Sequence, residues 1–285
     1  MSFNFNDIKI STKNRVLVVD ALNLGFRWKH QGKLEFAEDF QRTIESLASS
    51  YKCGRVIVTA DQGSSQYRKT ILPTYKQNRK DKYSMQTEEE KYAFKMFFDE
   101  YENTLEMLSQ KHTVLRYAAT EADDIAAYLV KKKENFGFEQ MWLISSDRDW
   151  DLLIQEGVSR FSYVNRKEVT FDNWHDHYDV PISSYACYKA LTGDKGDNIP
   201  GYTGIGPKRA ADLLKEYGSA YNIYDSVPID SKYKYMQEIN ENPDKILRNY
   251  ELMDLLTHCE DALGYELPNL VRRMKNYGSI STIYS

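Results

Sequence analysis

Nine carboxylates stand where a chain of this pattern could gather them. Glu121, Asp123 and Asp124 open a segment in which Ile125, Ala126, Ala127, Leu129 and Val130 form an apolar helical face, with Thr120 as the expected cap. Asp147 and Asp149 follow the strand-like run Met141-Trp142-Leu143-Ile144 and its exit Ser145-Ser146. Asp194 and Asp197 lie in the turn Gly193-Asp194-Lys195-Gly196-Asp197, after the helix-like stretch Tyr185 to Leu191. Asp20 ends Val16-Leu17-Val18-Val19, and Asp61 follows Val56-Ile57-Val58-Thr59-Ala60. In an open parallel α/β sheet the carboxyl ends of the strands converge on one crevice, so these acids can share a site.

Electrostatics limits what such a site can be. Two unit charges about 4 Å apart repel by roughly 4 kcal/mol at an effective dielectric near 20. A domain's whole stability is about 5–15 kcal/mol. The cluster must therefore be protonated, matched by Lys or Arg, or matched by bound cations. Oxygen donors without His or Cys suit hard ions such as Mg²⁺ or Mn²⁺. Two such ions on carboxylates imply phosphoryl transfer or phosphodiester hydrolysis. Taken singly, each acid reads better as a helix cap or turn residue; the recurrence after strands and at a helix start favours a metal site.

The elements that would position these acids alternate. Val16 to Asp20 and Arg55 to Ala60 read as buried parallel strands, Phe36 to Tyr51 as a helix between them, and Asn23 to Arg27 as a loop. Thr113 to Tyr117 reads as a short strand, and Arg160 to Asn165 with Lys167 to Phe171 as a hairpin. The fold class is α/β, a twisted and mainly parallel sheet flanked by helices. Between the second strand and Thr113 the composition shifts. Arg68, Lys69, Lys76, Arg79, Lys80 and Lys82 crowd together with Tyr67, Tyr75 and Tyr83, Pro73 interrupts, and Thr87-Glu88-Glu89-Glu90 starts a helix through Leu108. Basic residues interleaved with tyrosines suit a phosphate backbone with stacked bases, and Lys76 and Arg79 share a face if helical. The plain alternative is a solvated charged face. His175-Asp176-His177 reads as surface or core, since no third ligand lies nearby.

Past Asp197, Gly201-Tyr202-Thr203-Gly204-Ile205-Gly206 is a tight glycine turn, and Pro207 starts a helix carrying Lys208 and Arg209. Free N–H groups at a helix start, with added cations, form a grip for phosphate of any sequence. The rest, to Ser285, reads as mostly helical. The chain has 285 residues, a formal charge of −4 and three cysteines, Cys53, Cys187 and Cys259, with no CxxC pair. Global charge therefore gives no nucleic-acid signal, and the thiols read as free in a reducing compartment. No apolar run reaches membrane-spanning length, and Met1 to Lys13 lacks a signal-peptide core, so a cytoplasmic protein without membrane association is expected.

Together these segments resemble the flap endonuclease family, the structure-specific 5′-nucleases, most closely the stand-alone 5′-exonucleases of T-five-type bacteriophages. The resemblance is carried by Val18-Val19-Asp20-Ala21-Leu22-Asn23-Leu24-Gly25-Phe26-Arg27, Leu72-Pro73-Thr74-Tyr75-Lys76-Gln77-Asn78-Arg79, Glu121-Ala122-Asp123-Asp124, Ile144 through Asp151, and Gly193 through Gly206. It implies a helical arch (about residues 66–110) over the site and a helix-hairpin-helix (helix-three-turn-helix) module. Residues 1–182 would form the catalytic domain, and 183–285 a helical DNA-binding region lending Asp194 and Asp197. By similarity all nine acids would hold two divalent ions. Lys76 and Arg79 would contact the scissile phosphate, Arg27 would be a basic residue near the active site, and Tyr75 would be a stacking residue. Gly201, Gly204, Ile205, Gly206, Lys208, Arg209 and Lys189 would contact DNA, with a K⁺ ion at the hairpin turn. Arg148, between two presumed ligands, marks a departure from a small residue expected in a phage relative. No polymerase segment follows, so a free-standing monomer in phage DNA replication is expected, acting on 5′ flaps, 5′ ends or RNA primers in duplex.

Three rival readings differ in kind. A PIN-like ribonuclease shares an acidic crevice but has no need of the glycine turn or a long basic arch. A junction-binding protein without catalysis would lack metal ligands, yet every expected acid is here. An interaction scaffold leaves the accumulated acid repulsion unexplained.

Overall fold

The computed structural model describes residues 12–278. The expectations on Met1 to Ser11 and on the last seven residues lie outside them. Six strands form one sheet: β1 (Arg15–Asp20), β2 (Arg55–Ala60), β3 (Thr113–Arg116), β4 (Gln140–Ile144), β5 (Val158–Ser162) and β6 (Lys167–Val169). Their order is β3-β2-β1-β4-β5-β6, parallel except for the β5–β6 hairpin. The order reverses direction between β1 and β4, so the crevice for a ligand opens beyond Asp20 and Ser145.

Strand alternation divides β1 between two cores. Val16 and Val18 pack with α6 (Ala122–Lys131) and with α12 (Leu255–Leu263), whose Cys259 and Leu263 are buried there. Leu17 and Val19 face α1 (Ala21–His30), α2 (Ala37–Ser50) and α5 (Glu88–Ser109). Asn23 to Arg27 is thus helix, not loop. Asn23 and Gly25 look like turn residues, but the Asp20 carboxylate caps α1 by accepting from the Asn23 N–H at 3.1 Å, and Ala21, Leu24 and Trp28 bury one side.

The basic stretch is broken as Pro73 requires, into α3 (Gln66–Ile71) and α4 (Gln77–Ser84). A capping box between Thr87 and Glu90 then starts α5. A third core belongs to the C-terminal helices α7 (Tyr185–Thr192), α8 (Pro207–Tyr217), α9 (Ala220–Asp225), α10 (Lys234–Glu241) and α11 (Asp244–Met253). A small cluster of Leu72, Tyr75, Ile199, Leu252 and Met253 seats the foot of the arch on that unit. His175 lies in a single 3₁₀ turn (Trp174–Asp176) and His177 ends it; among the described residues no third ligand is brought to them.

Candidate active site

Asp20 and Asp147 leave neighbouring parallel strands on the same edge. Ser145 links them: its hydroxyl donates to Asp20 at 2.8 Å and accepts from the Asp147 N–H at 3.1 Å. Asp61 follows β2 and accepts from the Ala122 N–H, at the start of α6, at 2.7 Å. The cap of α6 is Glu121, not Thr120, in a capping box with Asp124. An acid at the cap suits the unpaired N–H groups and the positive end of the helix, and it also turns Glu121 and Asp123 toward the crevice. Asp123 accepts from the buried indole N–H of Trp150 at 2.6 Å.

The last two acids arrive from the other half of the chain. A ribbon of β7 (Gly193–Asp194) and β8 (Ile199–Pro200) places them, and it closes only because two glycines meet. A Cβ on Gly201 would stand 2.1 Å from the Thr192 carbonyl oxygen. Backbone and amide hydrogen bonds tie the ribbon to the arch. The Lys76 N–H donates to the Asp197 carbonyl at 2.9 Å, the Asn198 amide to the Thr74 carbonyl at 2.7 Å, and the Asn78 amide to the Lys195 carbonyl at 2.8 Å.

Cations thread between the acids. Lys76 is not on a helix face; it is the left-handed residue before α4, with φ 55°. That bend aims its ammonium at Glu121 (2.9 Å) and Asp197 (3.6 Å). Arg79, on α4 and half exposed, reaches Asp197 at 2.6 Å. The Tyr75 hydroxyl meets the same two acids at 2.8 and 2.9 Å. Its ring is buried and offers no surface for stacking. Tyr67 is likewise engaged, by Glu251 and His258, and Tyr83 packs edge-on to Phe94, so the tyrosines of the arch do not form a base-stacking row. Lys189 is buried against Asp149 and Asp194, away from any open DNA face. Asp124 is withdrawn from the crevice: both its oxygens are held by Arg68, at 3.0 and 2.7 Å. Sequence pattern did not separate Arg68 from the surface lysines around it. Ser145 and Trp150 also escaped it, since neither type signals chemistry.

The acids divide by what surrounds them. Burial raises the Glu121 carboxyl, but Lys76 and Arg68 outweigh it and bring the group down to about 2. Asp194 is held low by Lys189 and two backbone N–H groups against its burial. Asp20 is pushed up to about 8, by burial first and then by repulsion from Asp61. Asp61 and Asp123 are raised by burial and by neighbouring carboxylates, Asp147 foremost for Asp123. Among the described residues no three acidic, His or Cys side chains are drawn together tightly enough to hold an ion as they stand. What the geometry does show is a set of carboxyl oxygens at Asp20, Asp61, Asp123 and Asp147 with no lysine or arginine in direct contact among the described residues, a donor set that fits hard divalent cations. Arg27 lies one helical turn beyond Asn23, whose side chain accepts from the Ser146 N–H at 2.8 Å. Arg148 points outward, exposed.

The presumed hairpin lies at the far end of the ribbon. Gly204 bends with φ 80°, Ile205 is buried as its anchor, and Lys208 and Arg209 are exposed at the start of α8. Arg209 donates to the Gly204 carbonyl and lies 4.8 Å over the Tyr235 ring.

A sheet-edge acid crevice, a helical arch and a C-terminal helical unit define the class. Residues 15–179 match the family described as 5′-3′ exonuclease, N-terminal resolvase-like domain, and residues 180–284 match its C-terminal SAM fold. The chain belongs to the 5′-3′ exonuclease family of structure-specific nucleases. It is 39% identical over 260 residues to the flap endonuclease of Escherichia phage T5, covering 90% of this chain and 89% of that one. It is 28% identical over 255 residues to flap endonuclease Xni of Shewanella oneidensis, covering 86% and 90%. A structure of the T5 5′-exonuclease with zinc superposes with a TM-score of 0.87 at 39% identity, covering 92% of this chain and 98% of that chain. A T5 flap endonuclease complex with DNA and metal ions gives 0.87 at 38% identity, over 94% and 99%. Among the described residues no helix is long and apolar enough to cross a membrane.

Proposed function

We propose that this chain is a divalent-metal-dependent 5′-to-3′ exonuclease and 5′-flap endonuclease that cuts phosphodiester bonds in branched or 5′-ended DNA. The observation that carries the reading is the contrast within one crevice: acids left uncompensated at its floor, and Lys76 and Arg79 at its rim on the arch. Asp20, Asp61, Glu121, Asp123, Asp147, Asp149, Asp194 and Asp197 are the ligand set, and Asp124 serves by fixing the start of α6. Two Mg²⁺ or Mn²⁺ ions there would activate water and offset phosphate charge.

The protein's own groups do the rest. Lys76 and Arg79 stabilise charge that develops on the scissile phosphate. Arg27 adds a cation beside the β1 end of the crevice. Tyr75 holds Glu121 and Asp197 in register from beneath. Lys189 balances Asp149 and Asp194 until substrate and ions arrive. Gly201 to Gly206 with Lys208 and Arg209 grips duplex backbone by shape and charge, since no base-reading element is evident. A K⁺ ion at that turn would share the Gly204 carbonyl with Arg209. A catalytic part to residue 182 and a DNA-gripping part beyond it, a monomeric state, action on RNA primers in duplex and work in phage DNA replication within the host cytoplasm complete the reading.

The test is a fluorescent 5′-flap duplex incubated with Mg²⁺ or with EDTA, beside a single-stranded RNA of matched length. Mg²⁺-dependent cutting near the junction with RNA spared is expected. Preferential RNA cleavage would favour a PIN-like ribonuclease, and tight binding without cutting a junction-binding protein.

A further inference from the structure

A second basic surface adjoins the crevice at Arg27. The turn between β5 and β6 carries Tyr163 and Arg166. Arg166 takes the left-handed region, φ 59°, and its N–H donates to the Ser162 carbonyl at 2.9 Å. That bend folds its guanidinium back to 4.7 Å from the Tyr163 ring centroid, while Arg27 lies 4.3 Å from the same ring. The half-exposed ring is therefore held by two guanidinium groups. It borders a cleft of about 520 Å³, lined also by Lys33, Arg42 and Asp39. Four cations thus face one carboxylate, and that carboxylate is engaged by Lys33 and Arg42.

The turn that carries Tyr163 and Arg166 is hydrogen-bonded to the residue before Asp147. Ser146, next to Asp147, accepts from the Val164 N–H at 3.2 Å and bonds the Ser162 hydroxyl at 3.1 Å. A strand leaving the crevice past Arg27 meets Tyr163 next. Several cations ordered around one ring suit a single-stranded polynucleotide, because every linkage carries a charge.

We infer that this cleft is a track for the single-stranded 5′ arm of the substrate, with Arg166 as a phosphate contact and the Tyr163 ring holding the Arg166 and Arg27 guanidinium groups in place. The inference rests on the nuclease reading, so the test keeps the two apart. Binding is measured by fluorescence anisotropy in EDTA, on a duplex bearing a 5′ flap of about ten nucleotides and on the same nicked duplex without a flap. Arg166→Glu and Tyr163→Leu should each weaken the flapped complex about tenfold, equivalent to about 1.4 kcal/mol, and leave the flapless one unchanged. Tyr163→Phe should match wild type, and Arg166→Glu should also lower the salt slope of the flapped complex by about 0.7. Circular dichroism confirms folding; Arg166 is exposed, so its variant keeps the test open if Tyr163→Leu misfolds. Wild-type dependence on the flap in Arg166→Glu, or equal losses with and without it, overturns the track. If wild type fails to cut the flap with Mg²⁺, the nuclease reading falls instead.

Discussion

Arg68→Ala should be among the most destabilising single changes in this chain. The side chain is 4% exposed and its main partner, Asp124, is wholly buried. Removing the guanidinium deletes two bonds to Asp124, one to the Leu252 carbonyl at 3.2 Å, and a cation 3.6 Å from Glu121. The lost attraction matters less than the charge left behind. A buried carboxylate stripped of its partner costs about 3–5 kcal/mol, a large share of a stability of about 5–15 kcal/mol. For a chain of this size each kcal/mol lowers the melting midpoint by about 2–4 °C, so a fall of roughly 6–20 °C is expected. Urea and thermal unfolding measure it. Arg68→Ala with Asp124→Ala should recover part of the loss, because the orphaned charge goes too, and the double-mutant cycle gives the coupling. A single-mutant cost below about 1 kcal/mol would refute the reasoning, since surface ion pairs already reach that value.

Lys76→Ala should lower flap cleavage about a hundredfold or more, with the unfolding midpoint moved little because Arg68 still faces Glu121; steady-state cleavage beside urea unfolding checks both. The raised Asp20 carboxyl gives a pH effect whose sign is fixed. Folded Asp20 keeps its proton up to about 8 while the unfolded group releases it near 3.8, so this contribution is complete below the unfolded value and is lost as pH rises toward 8. In EDTA the unfolding midpoint should therefore drop between pH 5 and 8, Asp20→Asn should flatten the drop, and added Mg²⁺ should offset it; a flat wild-type profile in EDTA would count against the crowded-acid account. Gly201→Ala should cut cleavage more than tenfold, because a methyl 2.1 Å from the Thr192 oxygen must spread the ribbon carrying Asp194 and Asp197; wild-type turnover would show that the ribbon gives way without moving them.

The sheet was legible because its strands are apolar, β-branched runs, and the acids were legible because each closes such a run or opens a helix. What pattern could not supply is pairing across distance. Arg68 and Asp124 are 56 positions apart, and nothing local distinguishes Arg68 from Lys69. Tyr67 and Tyr75 look like surface aromatics among cations, yet each spends its hydroxyl on acids from the opposite half of the chain. Lys189 is expected on DNA, yet the fold brings Asp149 from the sheet edge and Asp194 from the turn after it against its ammonium. Asn23 and Gly25 suggested a loop because residue preference was weighed above the cap that Asp20 supplies.

These corrections share one electrostatic cause. Nine acids on one crevice cannot be balanced by mobile ions alone while the protein folds without substrate, so the chain carries its own counter-charges, placed unevenly. Arg68 is permanent: fully enclosed, it fixes the start of α6 and takes Asp124 out of play. Lys189 and Lys76 are buried too, but they lie between acids delivered by different elements, and Arg79 remains half exposed. The floor of the crevice, at Asp20, Asp61 and Asp123, receives none of these ammonium or guanidinium groups in direct contact among the described residues. On the proposed reading, divalent cations would replace the protons on this floor, and a phosphate would meet Lys76 and Arg79 above it. Because Lys76 and Asp197 share a backbone hydrogen bond, the arch and the last two acids are set together. The position of the cations over the floor is therefore fixed by the same ribbon that completes it.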